Sequence, residues 1–204
     1  MRLLRVGDIG QEKVAALDDD NIIRDLSSHI KDLNPETINF DNLKKLDYEV
    51  ELALVIGKEA KNVSEDKALD YVFGYFILND ISDRHVQKII GSGHWTLGKS
   101  WCAPAGGLLV TKEHIKDIND INLTLSVNGE IRQNGNTKNM IFKVSFLIAH
   151  ISKYLTLKPG TVISTGTPAG TGMEQKPQKF LQVGDELHLK VDHLGEQNYK
   201  IIGD

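Results

Sequence analysis

The sequence predicts a mainly β protein of the α+β class with a few short helices. Three observations carry that expectation. Short extended runs outnumber helical ones. They are not regularly interleaved with helices, as a doubly wound sheet would require. Turn chemistry (Gly10, the Asp18–Asn21 cluster, Asn128-Gly129, Pro159-Gly160) punctuates the chain from end to end. With 204 residues, 40% hydrophobic and 25% charged, the chain suits one compact domain, or one domain with a small appendage. Such a length buries a core without disulfides or a structural metal.

Taken in order, Leu3–Val6, Lys13–Leu17 and Ile22–Leu26 read as short extended pieces separated by Gly10 and the Asp18–Asn21 turn. Asn34-Pro35 is a cap followed by a first-turn proline, and predicts a short helix to about Lys45. Tyr48–Ile56 reads as a strand closed by Gly57. Ser64, with Glu65 and Asp66 behind it, predicts a capped short helix through Ala68. Val72–Leu78 is aromatic-rich and strand-like, and Ser82–Ile90 reads as helix. Asn128-Gly129 between Leu123–Val127 and Glu130–Gln133 is the strongest hairpin signal in the chain. Val144, Leu147, Ile148, Ile151 and Leu155 recur at helical spacing, which predicts a helix over Val144–Leu155. Thr161–Ser164, Glu186–Val191 and Gln197–Ile202 complete the strands, the last two around His193-Leu194-Gly195.

Charge and cysteine content narrow the function classes. The chain has 24 basic and 28 acidic residues, a net charge of −4. Without a long basic run, nucleic acid is not the expected partner. No run reaches the roughly 18 apolar residues of a membrane helix, and no signal peptide is visible. The lone Cys102 excludes an internal disulfide and fits a reducing compartment, so a cytoplasmic location is expected.

The sharpest local feature is Leu46-Asp47-Tyr48-Glu49-Val50-Glu51-Leu52-Ala53-Leu54-Val55-Ile56-Gly57. Residues two apart on a strand share a face, so Glu49 and Glu51 project side by side, about 6.6 Å apart along the chain. Val50, Leu52, Leu54 and Ile56 fill the opposite face. Adjacent carboxylates repel unless one is protonated or a cation lies between them, and all-oxygen ligation suits Mg²⁺, Mn²⁺ or Ca²⁺. A solvated strand face is the alternative. Asp80 ends an apolar strand, as a helix cap or as a third oxygen ligand. Arg84 and Gln87 are three apart on the expected helix and share a face; they are either exposed polar residues or donors to a carboxylate and a carbonyl. The loop Ser164-Thr165-Gly166-Thr167-Pro168-Ala169-Gly170-Thr171-Gly172 is an anion cradle or an ordinary tight turn. It lacks the Gly-Lys-Ser/Thr of a phosphate loop and the third glycine of a dinucleotide loop. His29 with Asp32 has the spacing of a general-base pair and lies in a polar stretch, where a surface histidine is the plainer reading. No serine- or cysteine-nucleophile signature is present.

Together these pieces resemble the fumarylacetoacetate hydrolase family. The resemblance is carried by Asp47-Tyr48-Glu49-Val50-Glu51-Leu52-Ala53 with Val55-Ile56-Gly57, by Asn79-Asp80-Ile81-Ser82-Asp83-Arg84 within Tyr71–Gln87, and by Trp95-Thr96-Leu97-Gly98-Lys99-Ser100. Val127-Asn128-Gly129-Glu130, Met140-Ile141-Phe142, Leu157-Lys158-Pro159-Gly160 and Thr165-Gly166-Thr167-Pro168-Ala169-Gly170 continue it. It implies a mixed β-roll, with residues 1–45 as a small N-terminal extension and 46–204 as the catalytic domain. It implies a divalent cation, Mg²⁺ or Mn²⁺ with Ca²⁺ as the alternative, on Glu49, Glu51 and Asp80. Arg84, Gln87 and Lys99 match positions that bind a substrate's oxo and carboxylate oxygens, Arg84 and Lys99 also placing positive charge beside a developing enolate. Gly166 and Thr167 match the loop that holds the distal end. The implied activity is hydrolysis of a C–C bond in β-diketo or 2-oxo acids, of acylpyruvate or diketo-deoxy sugar acid type. Decarboxylation of a 2-oxo acid such as oxaloacetate, enol–keto isomerisation, or a catalytically impaired metal-binding remnant are the alternatives. A homodimer acting on a small molecule is implied as well.

Two departures stand out. Family members carry an Asn-Tyr-x-x-His-x-x-Glu-like stretch whose His and Glu activate water, ahead of the Glu-x-Glu strand. Here Phe40-Asp41-Asn42-Leu43-Lys44-Lys45 runs straight into Leu46-Asp47-Tyr48, and His29 and Asp32 do not match that stretch. The loop Trp101-Cys102-Ala103-Pro104-Ala105-Gly106-Gly107 is also shorter than the family's. Metal binding is therefore the firmer expectation than hydrolysis.

Overall fold

The computed structural model describes residues 2–6, 11, 13–17, 23–25, 45–84, 87, 99, 103–106 and 108–202. The chain divides into two compact units, Met1–Leu46 with Asp83–Ser100, and Asp47–Ser82 with Trp101–Asp204.

In the first unit, β1 (Arg2–Val6), β2 (Lys13–Leu17) and β3 (Ile23–Asp25) form an antiparallel meander, with Arg2 opposite Leu17 and Leu17 opposite Ile23. The three extended pieces read from the sequence are these strands. The helix expected from Pro35 to about Lys45 lies, up to residue 44, outside the described residues, as do His29, Asp32 and Cys102. Arg84 and Gln87 are helical, but the helix does not begin at Ser82. Ser82–Asp83 is extended, because the Ser82 hydroxyl turns back to donate to the Asp80 carbonyl (3.0 Å) instead of capping a helix.

The second unit holds two four-stranded sheets whose ladders all run antiparallel among the described residues. One has the order β11–β5–β6–β8, where β5 is Val50–Ile56, β6 Val72–Asn79, β8 Val110–Thr111 and β11 Val162–Ser164. The other has the order β10–β9–β12–β13, from Glu130–Asn136, Asn122–Val127, Glu186–Val191 and Gly195–Lys200. The two-residue strands β4 (Leu46–Asp47) and β7 (Ser82–Asp83) lie where the chain passes between units. The hairpin at Asn128-Gly129 forms as expected. Both residues have positive φ (52° and 78°), the requirement of the two-residue turn whose twist matches the strands.

β5 has neighbours on both sides and is buried on both faces, which is why its apolar run is nearly unbroken. Leu123, Leu125 and Val127 of β9 and Leu187, Leu189 and Val191 of β12 form a second layer of buried side chains. Helix α1 (Val144–Tyr154) buries Val144, Ile148, Ala149 and Ser152 and packs on a 3₁₀ segment, Glu65–Tyr71. Ser64 stands at that segment's start without capping it, its hydroxyl pairing with the Asp66 carboxylate instead. Among the described residues no helix is long and apolar enough to cross a membrane.

Candidate metal centre

Glu49 enters β5, Glu51 lies within it, and Asp80 follows the last residue of β6. In the ladder Glu51 faces Leu78. Side chains alternate, so Glu49, Glu51 and Asp80 fall on one face of the pair. Two hydrogen bonds tie the ends together: the Glu49 amide donates to Asn79 Oδ1 (3.0 Å), and the Asp80 amide to the Glu49 carbonyl (2.9 Å). One carboxylate oxygen from each of the three residues lies within 4.8 Å of the others. Glu49 and Glu51 are only 7% and 2% exposed. The solvated-face alternative therefore fails, because β5 is covered on the carboxylate side too. The helix-cap alternative for Asp80 fails with it, since the chain beyond continues extended into Ser82–Asp83.

Burial pushes the Glu51 carboxyl up to about 7, and the neighbouring Asp80 and Glu49 charges push the same way. The Ser164 hydroxyl and the Gly166 amide (2.9 Å) both donate to Glu51 Oε2 and oppose the shift. Three hard oxygen donors packed together, one already resisting ionisation, form a donor set that a divalent hard cation satisfies.

The loop after β11 is held by carboxylates of the chain itself. The Gly166 amide goes to Glu51. Those of Gly170 and Thr171 go to Glu174 (2.7 and 3.1 Å), and those of Gly172 and Met173 to the buried Asp47 (2.6 and 3.0 Å). The loop is thus an anion cradle, and the anions are internal. Gly166 has φ +92° and open space where a Cβ would stand, so backbone conformation, not crowding, calls for glycine there. The Thr167 hydroxyl donates to the Val50 carbonyl (2.9 Å) and accepts from Gln133 (2.8 Å), which holds the loop to β5. Asp47 and Ser164 belong to stretches whose pattern stands out in the sequence, the Glu-x-Glu strand and the Gly-rich loop, without a signal of their own contacts; Gln133 carries no sequence signal of its place beside them.

In the first unit, Arg84 and Gln87 are both buried, contrary to the exposed-face alternative. The Arg84 guanidinium donates to Gln87 Oε1 (3.0 Å), and the buried Gln87 Nε2 has no acceptor among the described residues. Lys99 is partly buried.

The profile of the family described as "Fumarylacetoacetate (FAA) hydrolase C-terminal" matches residues 11–202. A protein of Staphylococcus saprophyticus is 44% identical over 155 residues, which is 76% of this chain and 52% of that protein. The chain thus spans about half the length of the curated relatives it matches. Among solved structures, 2-hydroxyhepta-2,4-diene-1,7-dioate isomerase from Mycobacterium marinum is 35% identical with a TM-score of 0.70, covering 79% of this chain and 60% of its own. Maleylpyruvate hydrolase from Sphingobium sp. SYK-6, in complex with manganese(II) and pyruvate, is 29% identical with a TM-score of 0.68, covering 78% and 55%.

Proposed function

Because the chain belongs to the fumarylacetoacetate hydrolase family, we propose that it is a divalent-metal-dependent enzyme that cleaves a C–C bond in a β-diketo or 2-oxo acid. The observation that carries this reading is the set of three carboxylates, Glu49, Glu51 and Asp80, gathered within 4.8 Å on one face, the two glutamates buried and Asp80 half-buried. The manganese(II) and pyruvate in the Sphingobium neighbour support it. Glu49, Glu51 and Asp80 would hold Mg²⁺ or Mn²⁺, which when bound supplies a Lewis acid for an oxo group and its carboxylate. The Ser164 hydroxyl and Gly166 amide keep Glu51 oriented. Arg84 and Gln87, which are hydrogen-bonded to one another, would bind a substrate's oxo and carboxylate oxygens, as the resemblance implies. Arg84 and Lys99 would stabilise the enolate by positive charge, as the resemblance implies.

The test is turnover of an acylpyruvate with Mg²⁺ or Mn²⁺, with absence of turnover in metal-binding protein counting against the reading. The sequence lacks the family's His–Glu stretch ahead of Leu46, and general-base assistance is worth ~10²–10⁴ in rate. C–C hydrolysis is therefore proposed to run slower by about that factor than in a member that has the stretch. Metal-driven decarboxylation of oxaloacetate, which needs no activated water, is the second reading, favoured by the same departure. His29→Ala should change neither activity; loss of hydrolysis with metal binding intact would bring His29 into the site. A homodimer is proposed on family analogy, with Ile141, Phe142, Tyr154 and Leu155 exposed on and beside α1. A monomer mass by light scattering at micromolar concentration would contradict it.

A further inference from the structure

Strand β10 departs from regular pairing at one place. Ile131 stands opposite Ser126 and Gln133 opposite Leu125, so Arg132 is an extra residue, a β-bulge. In a regular strand Ile131 and Gln133 share a face. Here Ile131 is 65% exposed and Gln133 0%. The bulge has turned the Gln133 side chain inward.

There it is fully engaged. Gln133 Oε1 accepts from the Val50 amide (2.9 Å), and Nε2 donates to Thr167 Oγ1 and to the Pro168 carbonyl (both 2.8 Å). Thr167 Oγ1 in turn donates to the Val50 carbonyl (2.9 Å). The ring closes on both polar groups of Val50, the residue between the two glutamates. The peptide planes on either side of Val50, which lead to Glu49 and to Glu51, are fixed by it. The next loop residue back, Gly166, gives its amide to Glu51. Close backbone approach brackets the contact. A Cβ on Gly170 would lie 2.0 Å from the Arg132 carbonyl oxygen, and one on Gly135 2.5 Å from Pro168 Cβ.

We propose that Gln133 is a positioning residue of the metal site, aimed by the Arg132 bulge to lock Val50 and the Gly166–Pro168 loop so that Glu49 and Glu51 meet a cation in one geometry. This rests on the metal reading above. Groups behind metal ligands typically tune affinity about 10–100-fold when removed. Gln133→Met keeps the volume and removes all three bonds. Thr167→Val removes only the hydroxyl that links Gln133 to the Val50 carbonyl. Ile148→Val is a mild core change in α1, outside this ring of hydrogen bonds.

The experiment measures Mn²⁺ binding by titration calorimetry and the Mn²⁺ EPR line shape on the full chain. Gln133→Met should raise the Kd about 10–100-fold and alter the line shape. Thr167→Val should change both in the same direction, the double variant should be no worse than Gln133→Met, and Ile148→Val should leave both unchanged. If Gln133→Met does not fold, Thr167→Val decides: wild-type Kd and line shape in it overturn the proposal. Wild-type protein that binds no Mn²⁺ overturns the metal reading and this inference together. Mn²⁺ binding that is equal in wild type, Gln133→Met and Thr167→Val overturns the role of Gln133 alone.

Discussion

Glu51 on β5 and Glu196 on β13 are the same residue type on antiparallel strands, and their surroundings drive them in opposite directions. Glu51 is buried beside two other carboxylates and is pushed up to about 7. Glu196 is exposed, pairs with His188 and Lys190 (both 3.1 Å), and is held below the ordinary carboxylate range, chiefly by the His188 hydrogen bond. The difference follows from sheet position. β5 has strands on either side and cover on both faces, whereas β13, at the edge of its sheet, and its neighbour β12 alternate buried with more accessible residues. A carboxylate that water can reach costs nothing to keep charged. One removed from water with like charges beside it is kept for what it can bind.

That contrast breaks most sharply on Glu51→Ala. The substitution should abolish the Mg²⁺ or Mn²⁺ binding isotherm, and unchanged affinity would remove Glu51 from the metal site.

The second expectation concerns pH. Glu51 must shed its proton to bind a cation, so Mn²⁺ affinity should fall about tenfold per pH unit below 7. In metal-free protein the sign is the opposite. A carboxyl whose folded pKa is raised from 4.5 to about 7 contributes stability that is fully present below 4.5 and lost as pH rises through 7. That loss corresponds to about 3 kcal/mol. Denaturant midpoints at pH 5 and pH 8, with and without Mn²⁺, check both signs; a metal-free midpoint that rises with pH across 5 to 8 would contradict the assignment.

The next effect in size is Asp47→Asn. Asp47 is as buried as Glu51, but its oxygens face the amides of Tyr48, Gly172 and Met173. The substitution turns one acceptor into a donor against those amides and should cost about 2–3 kcal/mol, read by urea denaturation, with the loop around Gly170–Met173 becoming a site of proteolytic cleavage. Wild-type stability would show that Asp47 does not anchor the loop.

The smallest effect sharpens the other side of the comparison. Glu196→Gln should leave the melting temperature at the wild-type value, because solvent screens the exposed network it joins; a large fall would mean that the β12–β13 pair depends on that network.

What local sequence determines here is periodic or turn-encoded. The alternation through Glu49-Val50-Glu51-Leu52 put both glutamates on one face before any partner strand was known. Asn128-Gly129 specified its own turn, because positive φ at both positions is a property of those residues. The helical spacing from Val144 onward is local for the same reason, and it holds to Tyr154. The order of motifs around Glu49, Glu51 and Asp80 extended that reading to the third carboxylate.

Tertiary structure decided whether those carboxylates meet water or one another. That depends on β6 placing Asp80 beside Glu49 and on β11 and its loop closing over Glu51, contacts between segments as much as 115 residues apart. Only the fold shows that Asp47 anchors a distant loop, or that the Ser82 hydroxyl bonds back to Asp80 and so denies the expected helix start. The bulge at Arg132 is the clearest case. Nothing in Glu130-Ile131-Arg132-Gln133 announces an extra residue, and regular alternation sends Gln133 to the exposed side. Its amide turns inward because the Val50 amide and the Thr167–Pro168 loop offer it three hydrogen bonds in a fully buried place. An unsatisfied buried polar group costs more than a locally broken ladder.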